Sequence, residues 1–307
     1  MKWLLWFPSK LFQFGVWIRT LLYDKSLIST YSADVPTIVV GNIAVGGTGK
    51  TPHVEYLIDL LHSHYQLVVL SRGYKRHTKG FVLAEHNNQL VNAQIIGDEP
   101  FQLFTKYADV PIAVDKNRVE GIKNVVSQLP KTQVVVLDDA FQYRPLQPRL
   151  SIVLCDSNHL PVNDNMLPLG RLREPLSALH RADVVVITKC DTHLTEEQML
   201  EIRKTLKLSP RQQLFSSIIQ YGDLKNRYCE SMSISTLQHR SVLLVTGIAN
   251  PKPLCRYLKD SEIVFYHMAF PDHHDFSKAD IESIVRYCDR NKDAVIITTE
   301  KDNSKLE

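Results

Sequence analysis

The chain has 307 residues, 44% hydrophobic and 22% charged, the proportions of a folded protein of about two domains. Lys plus Arg number 36 and Asp plus Glu 33, and this net charge of +3 excludes a general nucleic-acid coat, which needs a basic stripe. The five cysteines (Cys155, Cys190, Cys229, Cys255 and Cys288) are scattered and form no CxxC pair, which argues against a disulfide framework or zinc ribbon and fits a reducing compartment.

Residues 1–23 contain all three tryptophans of the chain, Trp3, Trp6 and Trp17, with Lys2, Lys10 and Arg19 among the apolar residues. No uncharged apolar run reaches the ~18 residues of a spanning helix, and no continuous signal-peptide core is present. Proline is excluded from a helix interior, so the helix is predicted to follow Pro8. From Lys10 onward Leu11, Phe14, Ile18, Leu21 and Leu22 recur at helical spacing. Two readings stand: a helix lying in a bilayer interface, or a helix docked on the protein's own core. The tryptophan cluster favours the first, with residues 1–30 as an amphipathic interfacial region.

Apolar β-branched runs at 36–40, 66–70, 133–137, 151–154 and 183–187 alternate with helical patterns at 50–64, 99–107, 116–128 and 195–206. Continuous Val/Ile/Leu runs suit strands buried on both faces, so the prediction is a P-loop-containing, doubly wound α/β/α domain over 31–213. Composition changes over 207–240, where 214–221 reads as a linking strand, 214–240 as a linker and the domain boundary falls near 235. A smaller α/β domain follows over 241–307, with strands at 241–246, 262–266 and 294–299 and helices at 251–259 and 277–290.

Residues 44–51, AVGGTGKT, match GxxxxGK[ST] except at the first glycine, where Ala44 stands. Gly46, Gly47, Thr48 and Gly49 would turn backbone N–H groups around phosphate oxygens, at the N-terminus of the following helix. Lys50 would reach the β- and γ-phosphates, and the Thr51 hydroxyl would hold Mg²⁺. Asp138 and Asp139 end the apolar strand at 133–137 and so suit a second metal-binding element. Thr188-Lys189-Cys190-Asp191 looks like a guanine-recognition element and keeps a GTPase or metal-delivery protein as the alternative. No DxxG switch follows Asp138, so an ordinary polar strand end is the favoured reading.

Taken together, GNIAVGGTGKTP (41–52), LSRGYKR (70–76), GDEP (97–100), LDDAFQYR (137–144), LPLGRLREP (167–175), TGIANP (246–251), FPDHH (270–274) and TTEKD (298–302) resemble, in this order, the tetraacyldisaccharide 4′-kinase family. The resemblance covers nearly the whole chain. It implies an ATP-dependent kinase that phosphorylates a tetraacyldisaccharide 1-phosphate lipid A precursor at the cytoplasmic face of the inner membrane. It also implies two α/β/α domains joined by a β linker, and a membrane-associating N-terminal helix, here residues 1–23. Mg²⁺ and ATP are the implied cofactor and co-substrate. A third reading is an adaptor that binds the nucleotide without transferring phosphate.

By the same resemblance Asp98 is the base that takes the proton of the sugar hydroxyl. His273 supports it, with His274 as the alternative, which would place FPDHH over the nucleotide on domain closure. Read from the residues alone, Asp98 before Glu99 and Pro100 suits a helix N-cap, and both roles can coexist. Arg171 and Arg173 are candidates to clamp substrate phosphate, and Glu174 to join the Mg²⁺ shell; a solvated polar loop is the plain alternative. Arg72 and Arg76 follow the strand at 66–70 and suit contacts to the acceptor's 1-phosphate. Ala140 and Tyr143 depart from the family's usual Gly and His, the alanine with the expectation of a tightened turn. Relatives continue past TTEKD with a further strand, so a shortened C-terminal domain is expected.

Overall fold

The computed structural model describes residues 2–85, 91–226, 230–272 and 274–306. The chain falls into two compact units, Met1–Ile219 and Gln220–Glu307. In chain order the first holds α1 (Lys2–Asp24), β1 (Tyr31–Ser32), β2 (Thr37–Asn42), α2 (Lys50–Leu61), β3 (Leu67–Ser71), β4 (Val82–Ala84), α3 (Ala93–Ile96), α4 (Asp98–Lys106), β5 (Ile112–Val114), α5 (Arg118–Gln128), β6 (Val134–Asp138), β7 (Leu146–Gln147), β8 (Leu150–Asp156), β9 (Val184–Cys190), α6 (Glu196–Thr205) and β10 (Gln213–Ile218). The second holds β11 (Leu224–Lys225), β12 (Ser231–Met232), β13 (Val242–Thr246), α7 (Lys252–Asp260), β14 (Phe265–Ala269), α8 (Lys278–Arg290), β15 (Val295–Thr298) and α9 (Glu300–Leu306).

The main sheet runs β10-β9-β8-β2-β6-β3-β5-β4 and is parallel except for β4, which opposes β5. Its strands read as apolar runs because both faces are covered. Successive residues go to opposite layers: Val39 joins Leu137, Phe141 and Val185 on one face, and Val40 joins Val54, Ile58 and Val136 on the other. Parallel strands need crossovers, which α2, α5 and α6 help to supply, so every parallel strand ends at the same edge. β2 lies between β6 and β8, and the residues after β2 and β6 therefore share the carboxyl edge, where ligands of such sheets bind.

Three expectations need correction. The strand placed in a linker at 214–221 is β10, an edge strand of the main sheet parallel to β9, so the connection between units does not begin at 214. Its alternating exposed and half-buried residues follow from its edge position rather than from a linking role. Strand 262–266 moves to Phe265–Ala269, because 258–263 closes α7, with Ile263 N–H bonding back to Leu258. Pro8 lies inside α1, which starts at Lys2. Pro8 itself is exposed, and the next residue, Ser9, is buried and donates its hydroxyl to the Met166 carbonyl at 2.7 Å, which fixes this stretch against the protein.

α1 turns an inverted face to the protein. Ser9, Gln13, Val16, Thr20 and Tyr23, at helical spacing, are its more covered positions, and Leu4, Phe7, Leu11, Phe14 and Trp17 are exposed. Its anchors are polar: Ser9 to Met166, the Arg19 guanidinium to the Gln142 carbonyl, and Asp24 to Arg144 at 2.7 Å. The helix therefore docks through polar groups and leaves its apolar stripe outside. Among the described residues no helix is long and apolar enough to cross a membrane.

The second unit is a parallel sheet, β14-β13-β15, with Val242 and Leu244 packing to one side and Leu243 and Val245 to the other. Asp302, only 1% exposed, fastens the turn after β13. It accepts from Gly247 N–H at 2.9 Å and from the Thr299 hydroxyl at 2.7 Å. Its removal leaves buried donors without a partner, so Asp302→Ala is expected to cost about 2 kcal/mol, read as a lower denaturation midpoint of the second unit, with Asp302→Asn costing less.

Candidate active site

The glycine-rich segment builds the cradle its spacing predicts. α2 begins at Lys50, and its N-cap, Gly49, is left-handed at φ 86°, as is Gly46 at φ 113°. A side chain at either position would be strained, so glycine is required there to turn the loop. The loop is held from three sides. Asn42 at the end of β2 donates to the Thr48 hydroxyl at 2.7 Å, and the Thr188 hydroxyl donates to the Thr48 carbonyl at 2.9 Å. Val45 N–H donates to the Arg171 carbonyl at 2.8 Å. On the far side the Gly49 carbonyl accepts from His53 Nδ1 at 2.7 Å, while His53 Nε2 meets the Ser217 hydroxyl of β10 at 3.2 Å. Ala44, which replaces the first glycine of the motif, forms a backbone bridge with Leu172.

Lys50 lies 3.8 Å from Asp139. Asp139 also accepts both guanidinium nitrogens of Arg173, at 3.1 and 3.2 Å, and Arg173 donates in addition to Asn42 Oδ1 at 2.5 Å. Burial would raise the Asp139 carboxyl, but Lys50 and Arg173 hold it below the ordinary carboxylate range. Asp139 takes φ 47°, so the left-handed residue of this turn is the aspartate and not Ala140. That is why the alanine is accommodated, and the expected tightening does not arise.

Asp138 is the opposite case. It is 2% exposed, and burial first, then the charges of Glu99 and Asp139, push its carboxyl up to about 7. Ser71 donates to Oδ2 at 3.5 Å, and buried Oδ1 has no partner among the described residues. A buried carboxylate oxygen without a donor is a ligand type that suits a hard divalent cation such as Mg²⁺, and among the described residues no group of three acidic, His or Cys side chains gathers as a ready-made metal cage. Behind it lies Arg118, which sequence reading missed. Its guanidinium is 3% exposed and donates to the Asp115 carbonyl at 3.1 Å and the Asp138 carbonyl at 3.5 Å. Burial lowers its pKa and the charge of Asp138 opposes that shift. Glu99 was missed as well. Its sequence signal is its place in GDEP, beside Asp98.

Asp98 is not an N-cap. Gly97 holds that position at φ 96°, in a turn so close to Tyr74 that a Cβ would lie 2.8 Å from the Tyr74 carbonyl oxygen. Asp98 is the first residue of α4, half-buried, one position before Glu99.

Other candidates meet partners within the protein. The Glu174 carboxylate, expected in the metal shell, is buried and accepts from Arg181 at 2.5 Å and Gln142 at 3.5 Å. Arg76, expected on substrate, donates to the Val114 and Gly80 carbonyls and braces the 73–80 loop. Arg171 pairs with Asp164 at 3.2 Å and is 43% exposed. Arg72 is exposed just after β3, close enough for Arg118 to feel its charge. Thr188 points into the loop and Lys189 pairs with Asp156 at 2.8 Å, so the first two residues of the TKCD stretch brace the site. His274 meets Asp280 at 3.0 Å and packs between Phe270 and Phe276. His273 lies outside the described residues.

The Asp138 shift has a consequence for stability. The folded protein keeps a proton on this carboxyl up to about pH 7, whereas the unfolded chain sheds it near pH 4. Its contribution to stability therefore falls as pH rises between those values and is lowest above 7. Asp138→Asn removes the buried charge, so the metal-free variant is expected to melt above wild type at pH 8 by a margin that shrinks at pH 5. A constant margin overturns this account.

Comparison with known proteins gives the family. A family model described as tetraacyldisaccharide-1-P 4′-kinase matches residues 1–307. A tetraacyldisaccharide 4′-kinase of Flavobacterium johnsoniae is 48% identical over 289 residues, covering 94% of this chain and 83% of the relative. One of Phocaeicola vulgatus is 42% identical over 313 residues, covering 99% and 84%. Among solved structures, LpxK from Aquifex aeolicus, an "apo" form in complex with ATP, aligns with a TM-score of 0.77 and 31% identity over 97% of this chain and 88% of that one. The chain belongs to the tetraacyldisaccharide 4′-kinase family.

Proposed function

We propose that the protein transfers the γ-phosphoryl group of ATP to the 4′-hydroxyl of a tetraacyldisaccharide 1-phosphate. The observation that carries this reading is the glycine loop running into Lys50 at the start of α2, with Asp138 at the end of the neighbouring strand and Asp139 just past it, in a chain of this family. The phosphates lie against the backbone N–H groups of 46–51 and the positive end of α2. Lys50, oriented by Asp139, meets the charge that grows on the transferring group. Thr51 and Asp138 are the residues to hold Mg²⁺, with Glu99 adjacent. The ion supplies neutralisation of the phosphate oxygens. Asp98 accepts the proton of the attacking hydroxyl, and the exposed guanidinium of Arg72 contacts an acceptor phosphate. The family name and the brace role of Thr188 both favour this over a GTPase.

Transfer of label from ATP to the lipid, measured in detergent, tests the reading. Asp98→Ala is expected to lose about 10²–10⁴-fold in kcat with ATP affinity kept, as removal of a general base requires. Equal turnover by both proteins would discard Asp98 as the base and keep the kinase.

The acceptor is a lipid, and the exposed stripe of α1 supports peripheral contact with the cytoplasmic face of the inner membrane. Leu11→Gln with Phe14→Gln replaces two exposed side chains, so folding is spared. Sedimentation with vesicles is expected to fall at least about tenfold, since each residue would bury on the order of 2 kcal/mol of apolar surface in lipid. Undiminished sedimentation would return α1 to a purely structural role.

A further inference from the structure

A cavity of the first unit lies at the edge of the sheet opposite the phosphate loop. It encloses about 890 Å³ and is lined by residues that precede or begin β2, β8, β9 and β10, together with Tyr23 of α1 and the 140–149 segment. Its charged lining is Arg144, Arg149, Arg181 and Arg211 against Asp34 and Asp183. Four guanidiniums therefore face two carboxylates. Asp183 already accepts from Ser151 N–H at 2.8 Å, and Asp34 is exposed at the rim.

The arginines are not equally satisfied. Arg181 is committed to Glu174 and the Phe141 carbonyl. Arg144 spends Nη2 on Asp24, yet its Nη1 is buried with no partner among the described residues. Burial lowers the Arg181 pKa, an effect that Glu174 opposes and the charge of Arg144 reinforces. A buried guanidinium nitrogen without an acceptor costs free energy unless something polar meets it. Arg149 and Arg211 add exposed positive charge at the mouth.

We propose that this cavity binds a phosphate group, held by Arg144 within and by Arg149 and Arg211 at the mouth, as a second anion site separate from the nucleotide cradle. Guanidiniums match phosphate through paired N–H donors. Tyr23 and Asp24 end the helix whose apolar stripe is exposed, so a phospholipid headgroup and free phosphate are the two sources of the same chemistry.

The test uses the full chain carrying Lys50→Ala, which silences the nucleotide cradle. Its melting temperature is followed against inorganic phosphate, with chloride at matched ionic strength as the control. A second arm measures sedimentation with phosphatidylcholine vesicles with and without phosphatidic acid. Arg149→Gln/Arg211→Gln alters two exposed side chains and so spares folding. Phosphate-specific stabilisation whose half-saturation rises about tenfold in the double variant supports the site, tenfold being the weight of one good charged hydrogen bond. Vesicle binding that depends on phosphatidic acid and falls in the double variant assigns the headgroup, and a phosphate response without it assigns the free anion. A phosphate response that the double variant leaves unchanged, or no variant-sensitive response in either arm, overturns the proposal.

Discussion

The site depends on one carboxylate shared by two cations. Asp139, in a left-handed conformation just past β6, accepts a forked pair from Arg173 and stands near Lys50. Arg173 in turn reaches Asn42, and Asn42 holds Thr48. This chain of contacts ties the end of β6, the 171–174 segment and the glycine loop to one another. A loop that must offer bare N–H groups to an anion has few internal hydrogen bonds of its own, so its shape has to be imposed from outside. The strained backbone at Asp139 is part of that imposition, since it turns the side chain back toward Lys50 and Arg173.

The adjacent aspartates then do opposite work. Asp139 is kept ionised by fixed cations, while Asp138 is buried with an oxygen that no donor meets. Two carboxyls one residue apart would titrate together in water. Here their environments separate them, one serving the protein's own lysine and the other left for a ligand that arrives from outside.

Much of this was legible in the sequence, for identifiable reasons. The Val/Ile/Leu runs of β2, β3, β6, β8 and β9 announced a sheet buried on both faces, and a glycine-rich turn between such a strand and a helix leaves few alternatives for Lys50 and Thr51. What failed depended on distant partners. β10 alternates like an edge strand, and sequence alone cannot say which sheet owns the edge. β5 has only three residues, too few for periodicity to register. Asp98 fits the cap pattern, and only the close approach of Tyr74 to Gly97 shows why the glycine takes that place. Arg118 reads as an ordinary first-turn residue of α5 until the fold puts Asp138 beside it.

The arginines explain how so much irregular chain is kept in one shape. Between β6 and β9 the residues 139–149 and 157–183 include only short pieces of regular structure, longer than a compact domain ordinarily tolerates in a connection. Regular backbone pairing is scarce there, and guanidiniums take its place. Arg173 joins Asp139 to Asn42, and Arg181 joins Glu174 to the Phe141 carbonyl while lying over the Phe141 ring at 4.2 Å. Arg144 joins Asp24 while lying over Tyr23, and Arg19 reaches the Gln142 carbonyl. Each acts through several donors or a flat face at once, which an ammonium cannot do. Lysine at these positions would keep the charge and lose the second contact. The cross-links that α1 makes through Arg19 and Arg144 run through this same segment, so the helix that carries the exposed apolar stripe and the loop that follows Asp138 and Asp139 are held as one piece.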